Sequence, residues 1–437
     1  MKRKSKKVTS IILTSVLGLT MLMGCSGGDK AEGQSSDAGS NKGSGTTLEL
    51  MTTWNSDKLN VMNDVLTQFT KETGIKVEVV TPGDEYETVM KTRMASQDLP
   101  DVFETHGWSV ARYSEYLMPL NEESWASRID EAILPVISDK NDNIYVAPIT
   151  MGINTISYSK DAFEAADVNA GEIRTWAQFA AACEKLKEAG ITSMYIGNKD
   201  GGTAQLAEAM PPTFLSNEGI SDNQSKALKD GSFNFDEKWT PIAQLISGWN
   251  DKGYFNVDLL TADNESGTKE LGQGKAAMMF GGSNNITQAL TFSPDAKLGI
   301  LAVPALNENE KSSLSMGEGL CFGVWKDSKH KEEAKQLLDY LTQADAASEL
   351  TTASGDLPGF TDVENSEDYI TKAFRETQKT FGDNLIYVPL FDREYMPSGM
   401  WDDLTNSFTE IFTKPGADGV KASVEVVKEA YEQKINQ

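Results

Sequence analysis

The sequence predicts an α/β protein whose folded body is divided into two lobes. From Leu48 onwards, short apolar runs with strand character alternate with amphipathic helical stretches, which is the pattern of sheets covered by helices. The body, residues 48–437, is also too long for one ordinary hydrophobic core, so two domains or lobes are expected.

The first part of the body predicts a parallel sheet. The predicted strands are "LELMTTW", "IKVEVV" and "DVFET", and two helices separate them. In the first helix, "NVMNDVLTQFTKETG", Val61, Val65 and Phe69 share one face and Gly74 stops the helix. The second helix, "DEYETVMKTRMASQD", ends before Pro100. Because strand and helix alternate, we expect parallel strands with helices on both faces.

The same alternation continues through the rest of the body. "RTWAQFAAACEKLKEAG" is the clearest helix, because Thr175 and Gln178 form a capping box and Phe179 and Cys183 follow a helical stripe. Later predicted strands are "ITSMYIG", "AAMMFGG" and "LCFGVW". Two amphipathic helices, "KEEAKQLLDYLTQ" and "ASVEVVKEAYEQKI", are predicted near the C-terminal end.

Residues 1–24 predict a lipoprotein signal peptide. Basic residues lie between Lys2 and Lys7, and the stretch from Val8 to Met23 carries no charge. This stretch is shorter than the ~20 residues that span a bilayer, and the combination is typical of an exported protein. The following "LMGC" resembles the lipobox of bacterial lipoproteins, in which the cysteine, here Cys25, takes a diacylglyceryl group. The alternative is an ordinary cleaved signal with a chance cysteine.

Residues 25–47 predict the lipidated cysteine and a flexible tether. The stretch after Cys25 has no aromatic residue and no aliphatic residue larger than alanine, so it cannot bury enough surface to fold. Lipid and tether together would hold the body at the extracellular face of the cytoplasmic membrane. Anchoring of this kind favours a cell with a single membrane.

Charge and cysteine content limit the partners. The formal net charge is −25, and such a surface repels nucleic acid and anionic lipid. Besides Cys25 the chain has Cys183 and Cys321, too few for a disulfide framework. We expect two buried free thiols, with a single disulfide as the alternative.

Several kinds of catalytic chemistry are missing from the sequence. His106 and His330 are the only histidines, which argues against a histidine-based metal site or a Ser-His-Asp triad. No Gly-x-Ser-x-Gly elbow occurs, and "GTKELGQ" has Gln273 where a phosphate loop needs lysine. A pair of glycosidase carboxylates is not excluded by counting, because acidic residues are plentiful. We expect a protein without cofactor, and not an enzyme.

Aromatic and amide side chains follow the predicted strands instead. In parallel α/β sheets, ligands bind outside the carboxyl ends of the strands. Flat rings can stack on the apolar face of a sugar, while amides and carboxylates bind its hydroxyls. The candidates at these ends are Trp54, Asn55, His106, Trp108, Asn198, Asp200, Ser283 and Asn284. Other tryptophans are expected to fill the core, namely Trp176, Trp239, Trp249 and Trp325.

Six stretches of the body, taken together and in this order, form a specific pattern. They are "QFTKETGIKVEV" with "LPDVFETHGW", "VAPITMGINTISYSKDAF", "TWAQFAAACEKLKEAGI", "GKAAMMFGGS", "WKDSKHKEEAKQLLDYL" and "MPSGMWDDLTNSFTEIF". Together they resemble the family 1 extracellular solute-binding proteins of carbohydrate ABC transporters, the group that includes maltose-binding protein. The resemblance covers the whole body.

The resemblance implies a type II periplasmic-binding-protein-like fold, in which three crossings join two α/β lobes that close on a ligand like a hinge. The crossings are expected near residues 150–154, 316–320 and 356–358. The N-terminal lobe is then expected to contain residues 48–150 and 320–356, and the C-terminal lobe residues 151–319 and 357–437.

The resemblance also implies ligand contacts. The first ligand loop of the maltose-binding members is matched by "NSDK", which offers Asn55, Asp57 and Lys58. Glu318, in the second crossing, is a further expected contact, and the stacking tryptophan of the closing helix is matched by Trp401.

Two other stacking tryptophans of those members are not matched. One is replaced by Asn284, and the other is displaced, with Trp108 nearby. These departures argue against maltodextrin specificity while keeping a carbohydrate site.

The sequence therefore predicts a monomeric, lipid-anchored receptor that hands a sugar to the transmembrane subunits of an ABC permease. One alternative is a binder of another solute, such as a polyamine, in the same fold. Iron binding in this fold typically uses paired tyrosines, and no "Tyr-Tyr" occurs. The less favoured alternative is a secreted carbohydrate-active enzyme.

Overall fold

The computed structural model describes residues 45–105, 107–363 and 368–435. The strands are β1 Thr47–Met51, β2 Lys76–Val80, β3 Val102–Glu104, β4 Ala147–Pro148, β5 Thr150–Ser159, β6 Thr192–Met194, β7 Ala276–Gly282, β8 Leu298–Leu301, β9 Ser312–Glu318, β10 Cys321–Val324, β11 Leu357–Pro358 and β12 Leu385–Pro389. The predicted signal peptide, Cys25 and the tether up to residue 44 lie outside the described residues, so they stay predictions.

Helices cover both sheets. They are α1 Ser56–Thr73, α2 Tyr86–Ser96, α3 Leu134–Ile137, α4 Lys160–Ala165, α5 Trp176–Glu188, α6 Gly202–Ala209, α7 Pro211–Leu215, α8 Ser225–Asp230, α9 Phe235–Lys238, α10 Thr240–Asp251, α11 Asn264–Gly272, α12 Asn284–Phe292, α13 Lys331–Leu341, α14 Ala344–Ser354, α15 Tyr369–Phe381, α16 Phe391–Tyr395, α17 Trp401–Thr413 and α18 Ala417–Lys434. None of these helices has the length and hydrophobicity needed to cross a membrane.

The strands form two separate sheets. The first has the order β2-β1-β3-β10-β4, and the second has the order β12-β9-β5-β7-β6, with β8 and β11 also paired to β5. The first sheet and the helices packed on it form what we call the first lobe. The second sheet and its helices form the second lobe. The predicted α/β class with two lobes is confirmed.

The predicted parallel pairing of the first three strands is confirmed, but both sheets also contain antiparallel strands. β1 pairs in parallel with β2 and β3, but β10 runs antiparallel to β3, and β5 runs antiparallel to β7, β8 and β9. The physical reason is that β5 and β10 each begin where the chain crosses from the other sheet. They therefore enter at the edge where the parallel strands end, and they run back through the sheet.

Three crossings connect the lobes. The chain passes between the sheets at Ile149, at Gly319–Leu320 and between α14 and β11. The amides of Ile149 and Thr150 both donate to the carbonyl of Leu320, and the amide of Gly359 donates to the carbonyl of Ile149. The crossings thus bond to one another, and they meet at the edges where β3, β7 and β9 end.

Most of the predicted core is confirmed. Trp176, Trp239 and Trp249 are buried, and Trp325 packs against the core. The capping box of α5 is present, with Thr175 accepting from the Gln178 amide.

The two thiols of the body are separate and buried, so the alternative of a disulfide is wrong. Burial raises the pKa of both Cys183 and Cys321, which keeps these thiols protonated and unreactive.

Candidate functional site

The residues predicted from strand ends gather where the two lobes meet. Trp54 follows β1, Trp108 follows β3, and Ser283 follows β7. The crossings start from the same edges, and we call the region between these edges of the two sheets the interlobe cleft. His106 lies outside the described residues, and its place in the site stays a prediction.

The start of α1 contributes a ring and a cation to the first-lobe wall. Trp54 is buried, and the Nζ of Lys58 lies 5.8 Å from the centre of its ring. The same Nζ donates to the carbonyl of Ser354 at 3.2 Å. Asn55 and Asp57 are exposed at the beginning of the helix.

Asp356 places a carboxylate next to Lys58 at the third crossing. It lies 3.4 Å from the hydroxyl of Thr150, which donates to it. Burial raises the pKa of Asp356, and the charge of Lys58 opposes that rise. The cation and the carboxylate, almost 300 positions apart in the sequence, therefore compensate one another at the base of the cleft.

Two glutamates near the crossings are used in hydrogen bonds within the protein. Glu104, at the end of β3, accepts from the hydroxyl of Thr52 at 2.6 Å and from the amide of Thr53 at 2.8 Å. Glu318, at the end of β9, accepts from the Ser109 amide at 2.9 Å and from the hydroxyls of Ser109 and Thr105. Burial raises the pKa of Glu318, and these hydrogen bonds oppose the rise. Glu318 thus bonds the second sheet to the first lobe.

Trp108 lies in a contact between the lobes. It is 6% exposed, with the guanidinium carbon of Arg112 4.1 Å and that of Arg393 4.6 Å from its ring centre. Arg393 comes from α16 of the second lobe. Arg112 pairs with Glu87 and donates to the hydroxyl of Ser398 at 2.6 Å. Sequence reasoning found Trp108 but missed both arginines, because nothing in their local sequence marks them.

The second-lobe wall carries the predicted ring at the start of α17. Trp401 is half-buried, whereas Leu404 and Phe408, further along the helix, are buried. A Cβ built on Gly201 would lie 3.6 Å from the Nε1 of Trp401, so the loop before α6 is in contact with this ring. Trp401 therefore lies at the edge of its lobe rather than in the core.

Asn198 and Asp200 bond within their own lobe. Asn198 accepts from the hydroxyl of Thr203 at 2.6 Å and donates to Thr409 at 2.9 Å, which ties α6 to α17. Asp200 accepts from the amide of Asn264 at 2.8 Å, at the beginning of α11. Both side chains support the helices at the cleft edge.

Amide side chains occupy the same wall. Asn284 is exposed at the beginning of α12, and the amide of the buried Ser283 donates to the carbonyl of Ile153 at 3.2 Å. Asn154, on β5, donates to Gln205 of α6 at 2.8 Å. Sequence reasoning missed Asn154 and Gln205, since a polar residue inside an apolar strand was the only signal.

A pair of buried acids lies behind this wall. Glu208 of α6 is 1% exposed, and it accepts from the amide of Asp392 of α16 at 3.1 Å. Burial raises the pKa of both carboxyls. The charge of Asp392 raises the pKa of Glu208 further, whereas a hydrogen bond from Glu208 opposes the rise at Asp392. Within the residues that the structure describes, no group of three histidine, cysteine or acidic side chains is arranged to hold a metal ion.

A family model and curated relatives match this chain. The model of the family described as bacterial extracellular solute-binding protein matches residues 55–348. The melibiose/raffinose/stachyose-binding protein MelE of Bacillus subtilis is 27% identical over 407 residues, which cover 91% of this chain and 90% of that protein. The arabinooligosaccharide-binding protein of Bacillus subtilis is 26% identical over 357 residues, which cover 77% of this chain and 76% of that protein.

Solved structures share the two-lobe architecture. The putative binding protein MsmE of Bacillus subtilis, in an open conformation, superimposes with a TM-score of 0.83 at 25% identity, over 90% of this chain and 98% of that chain. A sugar transporter from Bacillus licheniformis in complex with stachyose has a TM-score of 0.73 at 28% identity, over 89% and 100% of the two chains. These likenesses extend over nearly the whole body.

Proposed function

The chain belongs to the bacterial extracellular solute-binding proteins, and from this premise we propose that it captures an uncharged oligosaccharide in the interlobe cleft. It then delivers this ligand to the transmembrane subunits of an ABC importer. The named ligands of the relatives, melibiose, raffinose, stachyose and arabinooligosaccharides, support this class of ligand. In this role the protein holds its ligand without changing it.

The observation that carries the proposal is that charged side chains around the cleft already have partners within the protein. Glu104 and Glu318 accept hydrogen bonds from the protein, Asp356 lies beside Lys58, and Arg112 pairs with Glu87. On the second-lobe wall, the half-buried ring of Trp401 and the exposed amide of Asn284 are offered to a ligand. A polyamine needs several uncommitted carboxylates, whereas a sugar needs a ring and neutral hydrogen-bonding groups.

Titration calorimetry with melibiose, raffinose, stachyose and spermidine tests the ligand class. We expect saturable binding of at least one of the sugars and no binding of spermidine. Saturable binding of spermidine with no sugar response would overturn the proposal. Chromatography of each sugar after prolonged incubation with the protein should show it unchanged, and the appearance of shorter products would favour the enzyme alternative.

The ring of Trp401 is expected to be a sugar platform. Trp401→Ala should weaken sugar binding by roughly tenfold to a hundredfold, because it removes a stacking surface worth on the order of 1–3 kcal/mol. The melting temperature of the ligand-free protein should change little, since the ring is half-buried at the start of its helix.

Trp325→Ala is the matched control for Trp401→Ala. Trp325 packs on the core just after β10, at the sheet edge opposite the cleft. Its loss should lower the melting temperature and leave the affinity of the folded protein unchanged. If Trp401→Ala behaves like this control, Trp401 is a structural residue.

We also propose that the protein is anchored through Cys25. The support is the lipobox-like "LMGC" followed by the flexible stretch. Cys25→Ser should move the protein from the membrane fraction to the medium, because two acyl chains give stable anchoring and none remain. Ser26→Ala is the control and should stay with the membrane. Immunoblots of both fractions measure the outcome, and a Cys25→Ser protein retained like wild type would refute the anchor.

A further inference from the structure

Three adjacent strands of the second sheet carry glycines at the end that faces the cleft. Gly152 of β5 lies directly opposite Gly317 of β9, and Gly282 of β7 lies directly opposite Asn154 of β5. Directly opposite residues, and residues two apart on a strand, point to the same face of a sheet. These three positions therefore lie next to one another on the same face of the sheet, and none of them carries a side chain.

The face is open above Gly152. A Cβ built there would meet only the carbonyl oxygen of Gly317 within 4 Å, at 3.8 Å. Its neighbours are covered, because a Cβ on Gly317 would approach Leu390 to 2.6 Å and one on Gly282 would approach the Oδ1 of Asn284 to 2.7 Å. Glycine weakens a strand and often marks a place where a ligand or another backbone approaches closely.

Two polar atoms without partners lie on this face. Ser315 is directly opposite Asn154 on β9, so both side chains lie beside the glycines. Among the described residues, neither the Oδ1 of Asn154 nor the Oγ of Ser315 has a hydrogen-bond partner, and both atoms are buried. Leaving a buried polar atom unpaired costs free energy, so an arrangement of two such neighbours needs an explanation.

The surroundings connect this face to the cleft. Gly317 and Leu390 line a cavity together with Gly107 and Val110 of the first lobe and Arg393 of α16. On the other side, Gln205 of α6 accepts from the amide nitrogen of Asn154 at 2.8 Å, and the Oδ1 of Asn154 makes no such bond to α6. We call the region formed by Gly152, Asn154, Gly282, Ser315 and Gly317 the glycine trough.

We propose that the glycine trough is a subsite for one ring of the oligosaccharide. The ring lies on the glycine floor above Gly152, and its hydroxyls donate to the Oδ1 of Asn154 and the Oγ of Ser315. The inference rests on the proposed function and deepens it. It assigns the two unpaired acceptors to ligand hydroxyls, which an aliphatic polyamine lacks.

Filling the trough tests the subsite. Gly152→Val adds volume where the structure is open, and valine is favoured in strands, so the fold should be kept. Stachyose is the probe, measured by calorimetry on the full mature protein. We expect its affinity to fall at least tenfold with an unchanged or raised melting temperature. Gly248→Val is the control, since a Cβ on Gly248 of α10 would have nothing within 4 Å, and it should bind stachyose like wild type.

Removing one unpaired acceptor gives a second, independent signature. Ser315→Ala deletes the hydroxyl that lacks a partner, so the ligand-free protein should melt at the same or a higher temperature. The stachyose affinity should nevertheless fall, roughly twofold to tenfold, because one hydrogen bond to the ligand is lost. A residue with only a structural role would not combine these two changes.

The outcomes separate the subsite from the proposed function. If wild type binds stachyose and both variants bind it within twofold of wild type, the trough is not a subsite and the proposed function stands. If wild type binds none of the sugars tested, the proposed function fails and the subsite fails with it. If only the two variants lose affinity while the Gly248→Val control keeps it, the subsite is supported.

Discussion

Replacing Gly359 by alanine is expected to lower the free energy of unfolding by about 3 kcal/mol or more. A Cβ at this position would lie 1.8 Å from the carbonyl oxygen of Pro148 and 2.8 Å from its carbonyl carbon. Both atoms belong to backbone, so no side chain can rotate away. Overpacking typically costs about 1–3 kcal/mol, and a collision with fixed backbone lies at or beyond the upper end of that range.

The hydrogen bonds of the crossings explain why the clash cannot relax. The amide of Gly359 donates to the carbonyl of Ile149 at 3.1 Å, and its carbonyl accepts from the amide of Asp130 at 2.9 Å. Moving Gly359 away from Pro148 would break both bonds at the place where the crossings meet.

Urea denaturation of Gly359→Ala and of a control, Gly248→Ala, measures this effect. The control replaces a helical glycine with open space around it, and it should gain up to about 1 kcal/mol from better helix propensity. The two substitutions add the same methyl group, so the opposite signs would isolate the clash. Equal stability of Gly359→Ala and wild type would show that the first and third crossings separate more easily than their hydrogen bonds indicate.

Replacing Glu208 by glutamine is expected to stabilise the protein at pH 8 by about 1–3 kcal/mol and to flatten its stability profile. Burial raises the pKa of both Glu208 and Asp392 above their ordinary values. The folded pair therefore binds protons more tightly than the unfolded chain does. Its contribution is fully present at low pH, and it is lost as the pH rises through the raised pKa values.

Arg393 is a cation next to this acid pair. It lies 3.5 Å from Asp392 and opposes the pKa rise of both carboxyls without reversing it. A glutamine at position 208 keeps an oxygen for the Asp392 amide and removes one of the two buried charges. Urea denaturation between pH 5 and pH 8 should give a shallower decline for Glu208→Gln than for wild type.

Glu394→Gln is the matched control for Glu208→Gln. Glu394 lies on the same helix as Asp392 but pairs with the half-exposed Lys229, and pairs of this kind contribute little. Its profile should run parallel to that of wild type. A Glu208→Gln profile that also runs parallel to wild type would show that the acid pair is not a source of pH dependence.

Local patterns were sufficient to predict most elements of the fold. The capping box at Thr175 and the apolar face of α1 depend only on neighbouring residues, and both are present in the structure. The direction of β5 and β10 was not predictable in this way. It depends on which sheet the chain has just left, and a strand has the same alternation of residues whichever way it runs.

The site was predictable only where it follows a strand end. Trp54 and Trp108 were proposed because each stands just after a predicted strand, whereas Trp401 was proposed from the resemblance to the family. The partners Arg393 and Gln205 come from distant parts of the chain, and no local rule brings them to Trp108 or Asn154. The glycines of the trough can be read in the sequence, but the register of three strands is needed to show that they lie side by side.

The stacking of Arg112 and Arg393 on Trp108 has an optical consequence. An indole next to guanidinium groups emits with an intensity and wavelength that depend on how close those charges are. One of the two charges is carried by each lobe, so separation of the lobes changes the local field at this single ring. The difference in emission between wild type and Trp108→Phe is therefore expected to isolate the contribution of this ring and to change when the lobes separate.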